Sequence, residues 1–343
     1  MRVELPRIRH WRHDLTGCLH VAMAVLLQHR GLNPVEVLGA VWSFDHRPER
    51  LRREEYYFPG GEDDLLAALA PYHPLTSRWH SPVDATAGWL EVRDAVAAGQ
   101  PVAVSADNYH LPFRPAFGDV HTNHLITVYG FDDELDIALV IDSVPPRYRG
   151  PLPLPALAAA RDSGNPVVHD RDLFFTGQPI GNRWLEAEVT GEIPAFDRDF
   201  VRLAIERNAA ALHAAEPAGR YAGLAGQERF LLDIAGELAE GSTGAIDEAF
   251  VVAGPALAVA GLHAEWLAHA GRVLGEPRLL ESARLVERVA HHWSAVRIIA
   301  GAARPDPAAA AGSMRSRTRE LVADHVRALE STRRAVGTTV LAR

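Results

Sequence analysis

One cysteine, one histidine and one aspartate occupy positions that suit nucleophilic chemistry. Cys18, the only cysteine in the 343 residues, opens an apolar run that predicts a helix. His124 opens a predicted strand, and Asp142 closes the next one. A helix start stabilises a thiolate through its unpaired N–H groups and its dipole. A nearby imidazole can take the proton of the thiol, and a carboxylate can orient the imidazole ring. The pattern therefore predicts a catalytic triad.

Each of these residues also has a plainer interpretation. A lone cysteine is most often a small buried core residue, the chain has 17 histidines, and aspartate is common at strand ends. His121 stands three residues before His124 and either lines the pocket or competes for the role of base. The two histidines could also bind a metal with His110, Asp107 or Asp119. Side chains at i and i+3 on an approaching strand point to opposite faces, however, so we expect no metal site.

Four further residues are candidates for substrate binding. Asp107 and Tyr109 end a predicted strand and lead into an aromatic loop, where they form either an ordinary polar turn or part of a binding site. His121 is expected to line the pocket. His13, on the segment before Cys18, completes the set.

Composition limits the class of protein. With 48% hydrophobic and 23% charged residues, the chain has a normal globular mixture, long enough for two domains. A single cysteine excludes internal disulfides and cysteine-based zinc sites, so we expect a reducing, cytoplasmic location. The N-terminus has no apolar signal region, and we expect no membrane span. The net charge of −9 argues against a general nucleic-acid binder, and all 35 basic residues are arginine.

The first 195 residues predict a mixed domain, in which a helix cluster packs on a small antiparallel sheet. This interpretation depends on glycines that end the predicted helices, on a helix start at Asn33-Pro34 and on alternating apolar residues in the predicted strands. The turn at residues 132–135 should join two strands as a hairpin. The predicted helices are 17–30, one from residue 33, one near 62–69, and 89–98; the predicted strands are 101–106, 124–131, 137–142 and an edge strand at 184–189.

From residue 196 onward, alanine, leucine, arginine and glutamate recur at helical period. This pattern predicts an α-helical bundle domain at 196–343, after a first domain at 1–195, and an α+β class overall. Pro305-Asp306-Pro307 and the alanines after it are expected to form a loop into the last helix. The predicted helices are 199–215, 220–238, 250–274, 277–299 and 313–336.

Several short motifs together resemble the butirosin biosynthesis protein H family. They are Cys18 on its helix, the segment 97–104, Asp107-Asn108-Tyr109, His121-x-x-His124 before an alternating strand with Gly130, and Ile141-Asp142. The resemblance spans nearly the whole chain. It implies a papain-like N-terminal domain followed by a helical domain.

The resemblance also implies acyl transfer in natural-product assembly. An acyl group would leave the phosphopantetheine thioester of an acyl carrier protein for Cys18, and would then pass to a small-molecule amine. The protein itself would need no cofactor. The same residues would also serve a cysteine peptidase or amidohydrolase, or a cyclisation, because the sequence does not separate water from amine as acceptor. A non-catalytic scaffold with a buried Cys18 is a further alternative.

The sequence leaves open which groups stabilise the oxyanion. Acyl transfer requires an oxyanion hole, for which the Cys18 N–H and a side chain from the preceding turn are candidates. Papain relatives have a glutamine six residues before the cysteine, where this chain has Arg12, so the second donor is uncertain.

Carrier proteins are usually acidic, which makes the arginines at 47–53 candidates for docking. The long apolar helices at 250–299 could bury a homodimer face.

Overall fold

The computed structural model describes residues 1–48, 66–168, 176–215 and 217–337. Within these residues the chain forms two compact units. The first comprises Met1–Pro34, Leu66 and Leu75–Thr190, and the second comprises residues 35–48, Ala67–Pro74 and 191–337. The domain bounds 1–195 and 196–343 remain a proposal, since the second unit also takes in early segments of the chain.

The first unit is built on an antiparallel sheet. In chain order the strands described are β1 (Arg2–Glu4), β2 (Asp45–His46), β3 (Leu75–His80), β4 (Val102–Asp107), β5 (Asn123–Asp132), β6 (Ile137–Asp142), β7 (Tyr148–Pro153), β8 (Trp184–Val189) and β9 (Tyr221–Ala222). The strands of the sheet follow the order β3-β8-β4-β5-β6-β7, and β1 pairs with β5, whereas β2 and β9 pair with each other. β5 pairs with both β4 and β6, and Ala106 of β4 lies opposite His124 of β5.

The helices carry clear start and stop signals. Gly17 precedes the first helix, and Gly31 follows it with φ +79°, a conformation that favours glycine after a helix end. Asp84 caps the third helix by accepting the Ala87 N–H. The helices described are α1 (Cys18–His29), α2 (Pro34–Leu38), α3 (Ala85–Ala97), α4 (Leu154–Arg161), α5 (Arg198–His213), α6 (Gly223–Ala239), α7 (Gly244–Leu274), α8 (Pro277–Ala302) and α9 (Pro307–Ala335).

Apolar side chains from the sheet and from α1, α3 and α4 form one core in the first unit. Val104 and Ile126 come from central strands, and Val25, Val92 and Leu157 come from the three helices. All five are at most 1% exposed. Burial of such side chains contributes about 1.5–3 kcal/mol each, so this core fixes the strands that carry His124 and Asp142.

The second unit is a helical bundle around aromatic side chains. Trp266 and Trp293 are among its largest buried residues, and Phe44 stacks on Trp293 at 5.5 Å. The buried Asn208 side chain bonds to backbone groups of Trp42 and Ala40. Residues 40–44 therefore belong to the core of this unit, although they lie far from its helices in sequence.

The α+β class is confirmed, and most elements fall close to their predicted bounds. The predicted edge strand at 184–189 is wrong in its placement, because β8 lies between β3 and β4. The alanines after Pro307 belong to α9 rather than to a loop. The sequence prediction missed β1, β3, β7 and α4, as well as the two-residue strands β2 and β9. The helix predicted near 62–69 lies mostly outside the described residues, and residues 66–72 form turns.

One helix contradicts the expectation that no segment reaches the length of a membrane span. α7 contains an 18-residue window of mean hydropathy 1.6, long and apolar enough to cross a membrane. In this structure 72% of that window is buried inside the protein. Core helices of globular proteins pass the same test, so the window by itself is weak support for a membrane span.

Candidate active site

Cys18 is the first residue of α1, as the sequence predicts. Gly17 precedes it in an extended conformation and provides no side-chain cap. The first N–H groups of the helix therefore have no capping side chain and point toward the end that carries the thiol. Cys18 is partly exposed and unpaired by any disulfide, so it differs from the fully buried cysteine of the core interpretation.

His124 and Asp142 are held together by the hairpin of β5 and β6. His124 is the second residue of β5, and Asp142 is the last residue of β6. Nε2 of His124 lies 2.7 Å from Oδ2 of Asp142. The Cys18 side chain is a further hydrogen-bond partner of the ring. Since Asp142 occupies Nε2, Nδ1 is left for the thiol, and the three predicted residues form one chain of contacts.

Burial and the neighbouring Asp142 act in opposite directions on the pKa of the His124 ring. Burial lowers the pKa of His124, but the charge and hydrogen bond of Asp142, together with the contact to Cys18, outweigh burial and raise this pKa to about 9. Burial raises the pKa of Asp142, but the charge and hydrogen bond of His124, with the charge of Arg114 and the Val144 N–H, together hold that pKa below its ordinary value. The pair therefore favours an imidazolium and a carboxylate at neutral pH.

Sequence reasoning missed a second cation at Asp142. Nη1 of Arg114 lies 3.1 Å from Oδ2 of Asp142 and also donates to the Val144 carbonyl. The Val144 N–H donates to the other carboxylate oxygen at 2.9 Å. Arg114 lies in the aromatic loop after β4, and no spacing in the sequence connects it to Asp142. These bonds fix the carboxylate and keep it charged.

His10 was also missed. Its Nδ1 lies 3.0 Å from the hydroxyl of Ser143, which directly follows Asp142. Burial and the charges of Arg147 and Arg149 lower the pKa of His10, against the opposing charge of Asp142. A neutral ring therefore stands beside the charged pair. The position of Ser143 next to Asp142 is the one signal that could have drawn attention to this contact.

The turn before Cys18 is held by its own residues. Nδ1 of His13 accepts the Leu15 N–H at 3.3 Å, and the His13 carbonyl accepts both the N–H and the hydroxyl of Thr16. Arg12 donates to the Thr16 carbonyl, and its buried Nε has no partner in the described part of the chain. His13 and Arg12 thus hold the turn that leads to the helix start.

The other candidate substrate-binding residues form a separate cluster. Oδ2 of Asp107 lies 2.6 Å from Nδ1 of His121 and accepts a 2.6 Å bond from Ser163. Oδ1 of Asp107 accepts the N–H groups of Tyr109 and Thr122. The Tyr109 ring stacks on His121 at 4.1 Å. The two histidines of the His121-x-x-His124 motif therefore bond to different carboxylates, and Ser163 is a member that the sequence did not reveal.

Metal binding finds little support in the described residues. No group of three or more histidine, cysteine, aspartate or glutamate side chains is arranged there to hold an ion. His121 and His124 each use one ring nitrogen on a carboxylate.

The first unit is thus an α+β domain in which a helix-borne cysteine, a strand histidine and a strand carboxylate are in contact. Residues 17–143 match the family model described as butirosin biosynthesis protein H, N-terminal. This segment belongs to that family, and the resemblance drawn from the sequence is confirmed over it. The match contains the whole contact chain but ends at Ser143, so the likeness of residues 196–343 to the family's helical domain stays a prediction. No curated protein matches the chain.

Proposed function

We propose that this protein is a cysteine-dependent acyltransferase of natural-product biosynthesis with a papain-like catalytic domain. The observation that carries the proposal is the contact chain from Cys18 through His124 to Asp142. The family of residues 17–143, named for butirosin biosynthesis, supports a role as a biosynthetic enzyme. Acyl transfer, rather than another reaction of a thiolate, is the finer part of the proposal.

In the first step the Cys18 sulfur attacks the carbonyl carbon of an acyl thioester. The bond from that carbon to the donor sulfur breaks, and the departing thiolate takes a proton from the His124 imidazolium. The products are acyl-Cys18, a free donor thiol and a neutral ring. Exchange of one thioester for another has little thermodynamic cost, so the step is freely reversible.

In the second step an amine attacks the acyl carbon of acyl-Cys18. The neutral His124 ring takes the proton that the nitrogen loses, the bond from carbon to the Cys18 sulfur breaks, and an amide leaves. The enzyme returns to its thiolate and imidazolium forms. Asp142 stabilises the charged ring in both directions, and Arg114 keeps Asp142 in its carboxylate form.

The oxyanion of each step needs donors beside Cys18. Its own backbone N–H lies at the uncapped start of α1. Arg12, in the preceding turn, is the proposed second donor, because its Nε has no partner among the described residues. His13 and the cluster of Asp107, Tyr109 and His121 are proposed to contact the substrates.

The donor is proposed to be an acyl carrier protein, whose phosphopantetheine brings the thioester, so that the enzyme needs no cofactor of its own. The acceptor is a small-molecule amine. Of the arginines suggested for docking, Arg47 is partly buried and the others lie outside the described residues. A homodimer and a cytoplasmic location likewise stay proposals.

The direct test uses an acyl-pantetheine thioester, with and without amines, and intact-mass detection. We expect a covalent adduct on the wild-type chain, no adduct on Cys18→Ala, and an amide product when an amine is present. Because Cys18 is the only thiol in the chain, labelling by iodoacetamide reports on this residue alone.

The other outcomes separate the alternatives. Free acid as the sole product in the presence of amines would favour a hydrolase, and a product one water lighter than that acid would indicate cyclisation. A thiol that resists iodoacetamide near neutral pH, with no acyl adduct, would support the scaffold interpretation and overturn the proposal.

A further inference from the structure

A cavity of about 270 Å³ lies between α3 and α4 in the first unit. Its walls are largely apolar, with Trp89 and Leu90 from α3 and Leu154 and Leu157 from α4. The polar side chains in its lining are those of Thr86, Arg161 and Asn182. An apolar space with a few converging polar groups is the usual form of a small-molecule site.

Arg161 is the unusual member of this lining, because its side chain is only 2% exposed. Nη1 donates to the Gly88 carbonyl at 3.1 Å, and Nη2 donates to the Asn182 carbonyl. Nε is buried and has no hydrogen-bond partner among the described residues. Burial lowers the pKa of Arg161 to about 10, against the opposing charge of Glu91, so the guanidinium is charged at neutral pH.

This charge has no direct counter-ion among the described residues. Glu91 acts on Arg161 only through space, and its Oε2 accepts the indole N–H of Trp184 at 2.8 Å. A buried cation bonded to neutral carbonyls retains most of its desolvation cost. An anion in the cavity would reduce that cost and would give Nε the acceptor that it lacks.

The size of the cavity limits the ligand. Ligand sites usually enclose about 300–1,000 Å³, and an apolar cavity of about 150 Å³ accommodates benzene. The space between α3 and α4 therefore suits one ring or a short branched chain together with one small charged group.

We propose that this cavity is a binding site for a small organic carboxylate, whose apolar body packs on Trp89 and Leu157 and whose carboxylate accepts hydrogen bonds from Arg161. The site is separate from the contact chain of Cys18, His124 and Asp142 and does not depend on the acyltransferase proposal. It assigns a ligand to a part of the domain that the catalytic residues do not use.

The test titrates the full chain with 4-fluorobenzoate and follows the ligand by ¹⁹F NMR. We expect saturable binding that unlabelled benzoate competes away. 4-Fluorobenzyl alcohol has the same ring without the charge and should bind at least about tenfold more weakly. Binding should be unchanged in Cys18→Ala, which distinguishes the cavity from the proposed catalytic site. Loss of binding in that variant would place the ligand at Cys18 and overturn the proposal.

Two neighbouring alanines of α4 provide a matched pair of variants. Ala158 lines the cavity and is exposed at its mouth, whereas Ala159 is exposed but is not part of the lining. Ala158→Phe should weaken 4-fluorobenzoate binding at least about tenfold, and Ala159→Phe should leave it unchanged. Arg161→Gln should also abolish binding, but it removes bonds that hold Gly88 and Asn182, so the alanine pair is the decisive comparison.

Three results would overturn the proposal. They are absence of saturable binding up to about 10 mM acid, equal affinity for the acid and the alcohol, and equal affinity in Ala158→Phe and Ala159→Phe. Under each of these results, the role of Arg161 would be structural: its hydrogen bonds would connect α3 to residue 182.

Discussion

Buried histidines occur in both units, and they differ in charge. In the first unit, His124 bonds to a buried carboxylate and has a pKa of about 9. In the second unit, burial lowers the pKa of His263 to about 4, although a hydrogen bond to the Gly39 carbonyl acts in the opposite direction. Burial, together with the charges of His263 and His213, lowers the pKa of His325 to about 3. All three rings are at most 5% exposed. Burial alone therefore does not make a histidine chemically useful.

The partner of the ring decides the difference. His325 bonds to the neutral side chain of Gln227 and stacks on Trp42 at 4.4 Å, so nothing offsets the cost of charging it. At His124 the charge and the hydrogen bond of Asp142, together with the contact to Cys18, outweigh that cost. The His325 ring therefore packs as a neutral aromatic group, whereas the His124 ring is held as an acid that can deliver a proton.

Removal of the cysteine or of the charged ring should have the largest effect. We expect Cys18→Ala and His124→Ala each to lower the rate of acyl transfer by about 10³-fold or more, because the nucleophile or its proton acceptor is gone. Single-turnover assays with an acyl-pantetheine donor, followed by intact mass, measure this. A His124→Ala rate within about tenfold of wild type would exclude His124 as the base.

Asp142→Asn tests the origin of the charge on His124. The amide keeps the shape but loses the negative charge, so the pKa of His124 should fall from about 9 to below its ordinary value of about 6.5, since burial remains. The rate should fall by about 10²–10⁴-fold. NMR titration of the ring and a pH–rate profile measure the two effects. Asp132→Asn, on the same hairpin, is the matched control and should leave both unchanged.

Acid should weaken the second unit through its neutral histidines. The pKa of His325 is about 3 in the folded protein and about 6.5 when unfolded. Its contribution to the free energy of unfolding is therefore fully present above about pH 6.5 and is lost as pH falls toward 3. We expect about 3 kcal/mol of this loss between about pH 7 and about pH 4. Urea unfolding at a series of pH values measures it.

The control for the acid effect is a pair of variants. His325→Phe keeps the stacking on Trp42 and should remove the His325 share of the pH dependence, about 3 kcal/mol, while the share of the other buried neutral histidines such as His263 remains. The exposed His291→Phe should not change the pH dependence. An equal pH dependence in both variants would contradict the assignment. His124 has the opposite sign: its stabilising effect is present below about pH 6.5 and is lost as pH rises through about 9.

His121→Ala should have the smallest effect. His121 bonds to Asp107 rather than to Asp142, so its loss should raise KM or lower kcat by less than about tenfold. Steady-state assays with the thioester and an amine separate the two parameters. A loss equal to that of His124→Ala would show that the motif His121-x-x-His124 supplies its base from the first histidine.

Local pattern was enough to predict the elements of the site but not their neighbours. The alternating residues of β5 and β6 and the apolar run of α1 gave correct bounds to within about a turn, because periodicity and glycine stops are local signals. β8 was misplaced as an edge strand because strand order depends on long-range pairing. Arg114, Ser163 and His10 were missed because they meet the site through loops, which carry no periodic signal.

The sequence by itself determined which side chains are available for chemistry: a single thiol at a helix start, and an imidazole and a carboxylate on successive strands. Only the tertiary structure decided that His124 bonds to Asp142 while His121 bonds to Asp107, since the choice depends on which carboxylate lies within 3 Å of each ring. The same holds for Arg161. Its charge follows from its residue type, whereas the absence of a partner for its Nε among the described residues depends on everything packed around it.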